Sequence, residues 1–249
     1  MCLAGYGVLY TASILALALD AVRIEIWTDV NGVMSCDPKI VEDAVSWQEL
    51  DMNIMSELAY SGIKVVHPKS IEPAIERNIP VIIYNTFDRN FSGTRVTTEK
   101  STGIKGIVSN SDNILFNLKK PNMLDGIGFI AKVTDTVKSY NISIDVCTTS
   151  ETSFSFSINS RDFSHKLHKE LAEFAKVSVI KSVTKVCIIG NGITQNSKKL
   201  FEIFTICAAN SIRVYSISVS ASFNNITFLI NDNDKIETVR LLHRSLIPK

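Results

Sequence analysis

The sequence predicts an α/β protein in two parts: strands and helices around a partial parallel sheet, then, after a short linker, two βαββαβ units. Three observations carry that prediction. Ile24, Ile26 and Val30 form a β-rich run that passes through Thr28-Asp29 into Asn31-Gly32 and Asp37-Pro38, so a strand ends there and a loop begins. The chain then turns polar over residues 95–105, through Thr97-Thr98-Glu99-Lys100-Ser101-Thr102-Gly103, which reads as a linker. Beyond it, the order strand, helix, strand, strand, helix, strand occurs twice. Asn141-Ile142-Ser143-Ile144 and Asn210-Ser211-Ile212-Arg213-Val214 stand at matching helix-to-strand junctions about seventy residues apart. The expected division is 1–97, linker 98–105, first unit 106–183 and second unit 184–249; chain order leaves open whether the two units exchange strands.

Taken in order, residues 11–21 are rich in Ala and Leu and form a helix, with Thr11 as its cap. The apolar start of the chain has the look of a secretion signal, but the first basic residue is Arg23 and the run is too short to span a bilayer. It is read as a buried helix, followed by a strand over residues 23–27. Residues 46–60 form the next helix, with Leu50, Ile54 and Leu58 as its core stripe, Ser46 and Glu49 as a capping box, and Gly62 closing it. A short strand over 63–66, a helix over 70–77 and a strand over 80–84 complete the first part. In the second part, residues 106–118 are extended, and 125–140 are helical with Phe129, Val133 and Val137 on one face. Strands follow at 142–147 and 152–158, then a helix at 163–175 and a strand at 177–183. The second copy runs 185–190 (strand), 197–209 (helix), 212–216 and 225–230 (strands) and 235–246 (helix).

The 249 residues are 45% hydrophobic, ample for a packed core. A net charge of +1 and a pI of about 7.6 lack the basic excess that nucleic acid or an anionic membrane would need, so neither is an expected partner. Cys2, Cys36, Cys147, Cys187 and Cys207 are odd in number and scattered, with no Cys-x-x-Cys pair. They fit packing cysteines in a reduced, cytoplasmic protein, and no metal site is expected.

Loops that leave the carboxyl ends of strands hold ligands in α/β sheets, so Thr28 and Asp29 are candidate nucleotide or phosphate contacts. Lys64, near a strand end, can neutralise phosphate as a point charge, and His67 beside Pro68 reads as structural. Trp27-Thr28-Asp29-Val30-Asn31-Gly32-Val33, then Asp37-Pro38-Lys39, then Gly62-Ile63-Lys64-Val65-Val66-His67-Pro68 together resemble the aspartokinase branch of the amino-acid kinase family. That branch carries Trp/Tyr-Thr-Asp-Val-x-Gly, Asp-Pro-Arg and Gly-Ala-Lys-Val-Leu-His-Pro in this order, and Ser92-Gly93-Thr94 is similar to the Gly-Thr that ends its kinase domain. The resemblance implies ATP with Mg2+, and nucleotide contacts at Thr28, Asp29, Met34, Lys39, Lys64 and Val65. Met34 takes the place of a Tyr and Lys39 that of an Arg.

The family's aspartate loop, Gly-Arg-Gly-Gly-Ser-Asp-x-Thr-Ala, aligns on Thr11-Ala12 and puts Val8 and Leu9 where Ser and Asp belong. Its Lys-Phe-Gly-Gly segment occurs nowhere in the sequence, so the catalytic residues are unassigned. Phosphoryl transfer depends on positioned cations and donors, and the resemblance implies a chain without the larger part of the catalytic domain.

The repeat resembles tandem ACT domains, ferredoxin-like modules that sense small molecules. Asn122-Met123-Leu124 with Gly128-Phe129-Ile130, then Asn141 to Asp145 and Thr148-Thr149-Ser150-Glu151, are similar to the lysine-inhibited branch. The implied lysine site comprises Met123, Gly126, Phe129, Ile130, Ser143, Ile144, Asp145, Thr149, Ser150 and Glu151. Asp145 and Glu151 would meet ammonium groups, Met123 and Phe129 would form an apolar wall, and amides before the helix would meet the carboxylate. A homodimer through the ACT domains is implied with it. Ser218 to Phe223, in the second copy, lacks an acidic residue and is expected to be structural. The expected function is phosphorylation of the L-aspartate β-carboxylate by ATP, in lysine, threonine and methionine biosynthesis, with lysine feedback. The alternative is an inactive regulatory chain that binds lysine and dimerises, alone or with a separate N-terminal kinase fragment.

Overall fold

Four strands carry the first part: β1 (Ile24–Thr28), β2 (Glu49–Asp51), β3 (Val81–Asn85) and β4 (Thr94–Thr97), in the order β1-β3-β4-β2. A computed structural model describes residues 7–63, 66–88, 90–119, 128–195 and 197–248. β1 runs parallel to β3 and β2 parallel to β4, but β3 and β4 are antiparallel, so this sheet is mixed. Period-two alternation sends Ile24, Ile26, Val81 and Ile83 into one core with α1 (Gly7–Ala18), α2 (Met52–Ser61) and α3 (Pro68–Glu76). On the opposite face Trp27 and Tyr84 stack with ring centroids 4.9 Å apart. Leu50, Ile54 and Leu58 are fully buried, each contributing about 1.5–3 kcal/mol of apolar burial.

Several expected elements are corrected. Among the described residues α1 is not a buried helix. It packs on α3, where Ser13 Oγ donates to the Ser70 carbonyl at 2.6 Å, while Val8, Leu15 and Leu19 stay exposed. A helix apolar on every side has only one side covered here. The helix expected from Ser46 starts at Met52. Ser46 bridges Met34, residues 49–51 join the sheet as β2, and Asp51 caps the helix by accepting from the Asn53 and Ile54 amides at 3.1 Å. A strand at the helix entrance outcompetes the capping box, because Leu50 is buried from β2 as well as it would be from a helix. Gly62, at φ 128°, closes α2 as expected. Ile63 and Val66 are not in a strand; Lys64 and Val65 lie outside the described residues. Residues 95–97 of the polar stretch belong to β4, and the last two of that stretch, Ile104 and Lys105, already open the first strand of the second part.

The second part is one six-stranded antiparallel sheet, β6-β7-β5-β8-β10-β9. Its elements are β5 (Ile104–Lys119), α4 (Phe129–Ser139), β6 (Cys147–Thr149), β7 (Ser153–Asn159), α5 (His165–Ala172), β8 (Lys176–Gly190), α6 (Ser197–Ala209), β9 (Ser216–Val219), β10 (Asn225–Asn231) and α7 (Lys235–Leu246). The strands expected at 177–183 and 185–190 are one strand, β8, so the expected boundary at 183/184 falls inside it. Its first half pairs with the second half of β5, Lys176 opposite Lys119; its second half pairs with the first half of β5, Gly190 opposite Ile104. The order β6-β7-β5-β8 therefore forms one βαββαβ unit. The order β9-β10-β8-β5 forms the other, whose outer strand comes from residues 104–110, ahead of the first unit in the chain.

Where the units meet, the register shifts between Asn110 and Asn113, and Asp112 and Ser182 take φ of 60° and 56°. The sheet bends there until its opposite edges approach, with Thr148 Oγ1 and Ser216 Oγ 3.2 Å apart over Leu115, Val146, Val183 and Leu229. α4 and α5 cover Phe116, Phe156 and Ile158 of the first unit; α6 and α7 cover Val186, Ile188 and Phe228 of the second. β6 and β9 begin later than expected. Residues 142–146 approach the sheet through Asp145 N–H to the Ser157 carbonyl at 3.0 Å and Ser157 N–H to the Val146 carbonyl at 2.8 Å, without continuing the ladder.

The two parts are docked. The Ile107 amide donates to the Ser35 carbonyl at 2.8 Å, Trp47 Nε1 donates to the Lys105 carbonyl at 2.7 Å, and a Cβ on Gly106 would overlap the Leu58 side chain.

Candidate functional site

β1 delivers the chain into a loop whose shape is set by Thr94. Thr86 N–H caps the Thr28 carbonyl at 2.8 Å, and Thr28 Oγ1 reaches Asp29 Oδ1 at 3.3 Å. Gly32 then takes φ 60°, with the Thr94 side chain filling the space where a Cβ would be. Thr94 Oγ1 accepts from the Val33 amide at 2.9 Å and donates to the Trp47 carbonyl. Asp37 makes a side-chain turn, its Oδ1 accepting from the Lys39 amide at 2.9 Å, and this leaves Lys39 exposed at the rim.

A cavity of about 450 Å3 opens beside this loop. The first part contributes Val30, Met34, Lys39 and Ile63, and the second contributes Ile107, Ser109 and Val239. Its size suits a nucleoside, its walls are apolar enough for a base, and Lys39 supplies a cation for phosphate. Of the expected nucleotide residues, Met34 and Lys39 line it; Thr28 and Asp29 stand at the end of β1 outside the lining, and Lys64 and Val65 follow Ile63 outside the described residues. Burial, with help from the Asp37 and Asp43 carboxylates, pushes the Cys36 thiol up to about 12, so this lining cysteine stays protonated. Val8 and Leu9 lie in α1 and present no hydroxyl or carboxyl. Among the described residues no group of three or more His, Cys, Asp or Glu could hold a metal ion.

The expected effector residues divide within one chain. Phe129 opens α4, buried against Phe174 at 6.2 Å edge to face, behind Gly128 at φ 84°; Ile130 is half exposed. Thr149, Ser150 and Glu151 form the β6–β7 hairpin, where Ser150 N–H bonds the Ser153 carbonyl at 2.8 Å and Glu151 is exposed. Ser153 lies opposite Lys119, where β5 ends before the chain enters α4, so hairpin and helix start share one end of the unit. Ser143, Ile144 and Asp145 lie toward the other end. Asp145 bonds Ser157, four positions along β7 and so about 13 Å away, and its carboxylate pairs with Lys185 at 3.5 Å. Met123 and Gly126 lie outside the described residues.

Sequence reasoning missed the contacts that hold the loop after β1 from outside. Ser35 Oγ is 2.8 Å from His243 Nε2 across 208 positions, and Arg240 Nε donates to the Ile40 carbonyl at 2.8 Å. It also missed Asp51, whose carboxylate accepts from Ser101 N–H at 3.0 Å and from Asn191 Nδ2 at 2.8 Å as well as capping α2. No local signal marks such distant partners.

Residues 7–85 match the Amino acid kinase family and residues 186–246 match an ACT domain. The two matches fall on the two parts of the fold, an amino-acid kinase segment joined to ACT-type units. The chloroplastic Aspartokinase 3 of Arabidopsis thaliana is 33% identical over 245 residues, 94% of this chain and 44% of that protein. The Lysine-sensitive aspartokinase 3 of Escherichia coli (strain K12) is 32% identical over 247 residues, 95% of this chain and 55% of that protein. Crystal structures of E. coli aspartokinase III, one with lysine and aspartate (T-state) and one with aspartate and ADP (R-state), superpose with a TM-score of 0.83 at 30% and 31% identity. They cover 96% and 98% of this chain and 55% and 56% of theirs. The chain belongs to the aspartokinase family, and it spans about half the length of the curated relatives it matches.

Proposed function

We propose that this chain forms the nucleotide-binding and regulatory portion of an aspartate kinase, an enzyme that transfers the ATP γ-phosphoryl group to the β-carboxylate of L-aspartate under feedback by lysine. The observation that carries it is the cavity at the carboxyl end of β1, lined by Met34 and Lys39. Here Met34, Ile63, Ile107 and Val239 would pack the adenine and Lys39 would neutralise phosphate, with Lys64 and Val65 as the next contacts along the chain. Mg2+ would arrive bound to the ATP phosphates and help neutralise their charge. Likeness to the ADP-bound E. coli structure supports the nucleotide, and likeness to the lysine-bound one supports the effector.

Lysine would bind between Phe129 and the Thr149–Glu151 hairpin, and a second copy through the first ACT-type unit would bring its own Asp145 to the ligand; this accounts for the split of the expected residues within one chain. The division proposed is a kinase part to residue 97, a linker that ends where β5 begins at Ile104, and the two interleaved ACT-type units beyond. The setting is cytoplasmic: the described cysteines are free, and among the described residues no helix is long and apolar enough to cross a membrane.

A second reading, a regulatory chain that binds lysine and dimerises without catalysis of its own, is favoured by Val8 and Leu9 standing in the aspartate-loop positions. Titration calorimetry of the purified chain with ADP, lysine and threonine, with its mass in solution, tests both. Saturable ADP and lysine binding by a dimer supports the first reading. Lysine binding with no ADP heat supports the second, and no lysine binding removes the effector site.

A further inference from the structure

We infer that helix α7 of the second ACT-type unit positions the nucleotide loop, with His243 and Arg240 as its positioning residues. Four observations converge on residues 35–41. Ser35 Oγ accepts from the Val45 amide at 2.9 Å and shares a second hydrogen bond with His243 Nε2 at 2.8 Å. The Ser35 carbonyl accepts from Ile107 of β5 at 2.8 Å. Arg240 Nε holds the Ile40 carbonyl at 2.8 Å. Cys36 and Val41, 3% and 6% exposed, are buried in the core of the second unit with Val239, Leu242 and Leu246 rather than in that of the kinase part.

The consequence is geometric. Val239 lines the cavity, and His243, one turn further along the same face of α7, holds the loop that presents Met34 and Lys39 to it. Ile107, Val108 and Ser109 form the adjoining wall, so the cavity has its shape only while the second unit is seated. The clamp itself is read from contacts alone; its effect on nucleotide affinity rests on the nucleotide reading of the cavity.

The test uses the whole chain with Ser35→Ala, His243→Leu, His243→Gln and Arg240→Ala. Cys36 labelling by a thiol reagent is followed by mass spectrometry beside Cys207, a control in the same core at 2% exposure. His243→Leu and Ser35→Ala should speed Cys36 labelling on the order of tenfold while leaving Cys207 unchanged, the scale of one lost buried hydrogen bond. His243→Gln, whose side-chain amide can accept from or donate to the serine hydroxyl, should restore the slow rate. ADP affinity should weaken with Cys36 exposure, Arg240→Ala included. Unchanged Cys36 labelling in His243→Leu, or Cys36 and Cys207 rising together, overturns the inference, as does tight ADP binding by a variant whose loop is exposed. If the parent chain binds no ADP while Cys36 responds as expected, the clamp stands and the nucleotide reading falls.

Discussion

Thr94 is fully buried, and its hydroxyl joins the Val33 amide to the Trp47 carbonyl. Thr94→Val keeps the volume and removes both bonds, so it should cost about 1–3 kcal/mol in urea unfolding. Gly32→Ala should cost about as much, since it adds a Cβ at positive φ against that same side chain. Cys36 should resist alkylation at pH 8 while exposed Cys147 reacts. Its thiol titrates at about 12 folded against an ordinary value of 9.0, so the folded state holds the extra proton between them. The stability this thiol contributes is whole below pH 9 and is lost as pH rises toward 12, so unfolding midpoints should fall across that window. At this scale Met34 and Lys39, which the family resemblance pointed to, line the cavity a few positions beyond β1. Ser35 was not legible in the sequence, because its partner is 208 positions away.

Secondary elements were legible in proportion to how local their determinants are. α6 and α7 occupy the residues their periodicity predicts, 197–209 and 235–246. The start of α2 was misplaced because Ser46 and Glu49 fit a capping box equally well on paper, while the sheet claims residues 49–51 and Asp51 does the capping. Asp51→Ala removes two helix-cap bonds together with those to Ser101 and Asn191. It should destabilise the chain by at least about 2 kcal/mol and speed hydrogen exchange at both Ile54 and Ser101, whereas a cap alone would affect only Ile54. β6 and β9 were placed too early because alternation marks a face and does not say where pairing begins.

For the whole molecule, the sequence disclosed two parts and a repeat, and left the way they interlock to the structure. Trp47 packs against both the kinase-part core and the second unit's core, and Lys105 lies 4.2 Å over its ring. Tryptophan fluorescence and far-UV circular dichroism should therefore report one coincident thermal transition, and two separated transitions would show the parts to be independent. The shared long strands also bear on biosynthesis. Ile104 leaves the ribosome long before its partner Gly190 exists, so the outer strand of the second unit must wait, unpaired, while the whole first unit is translated. Pairing so distant in the chain makes for slow folding, and this interval is when a chaperone or a premature stop would decide the fate of the chain.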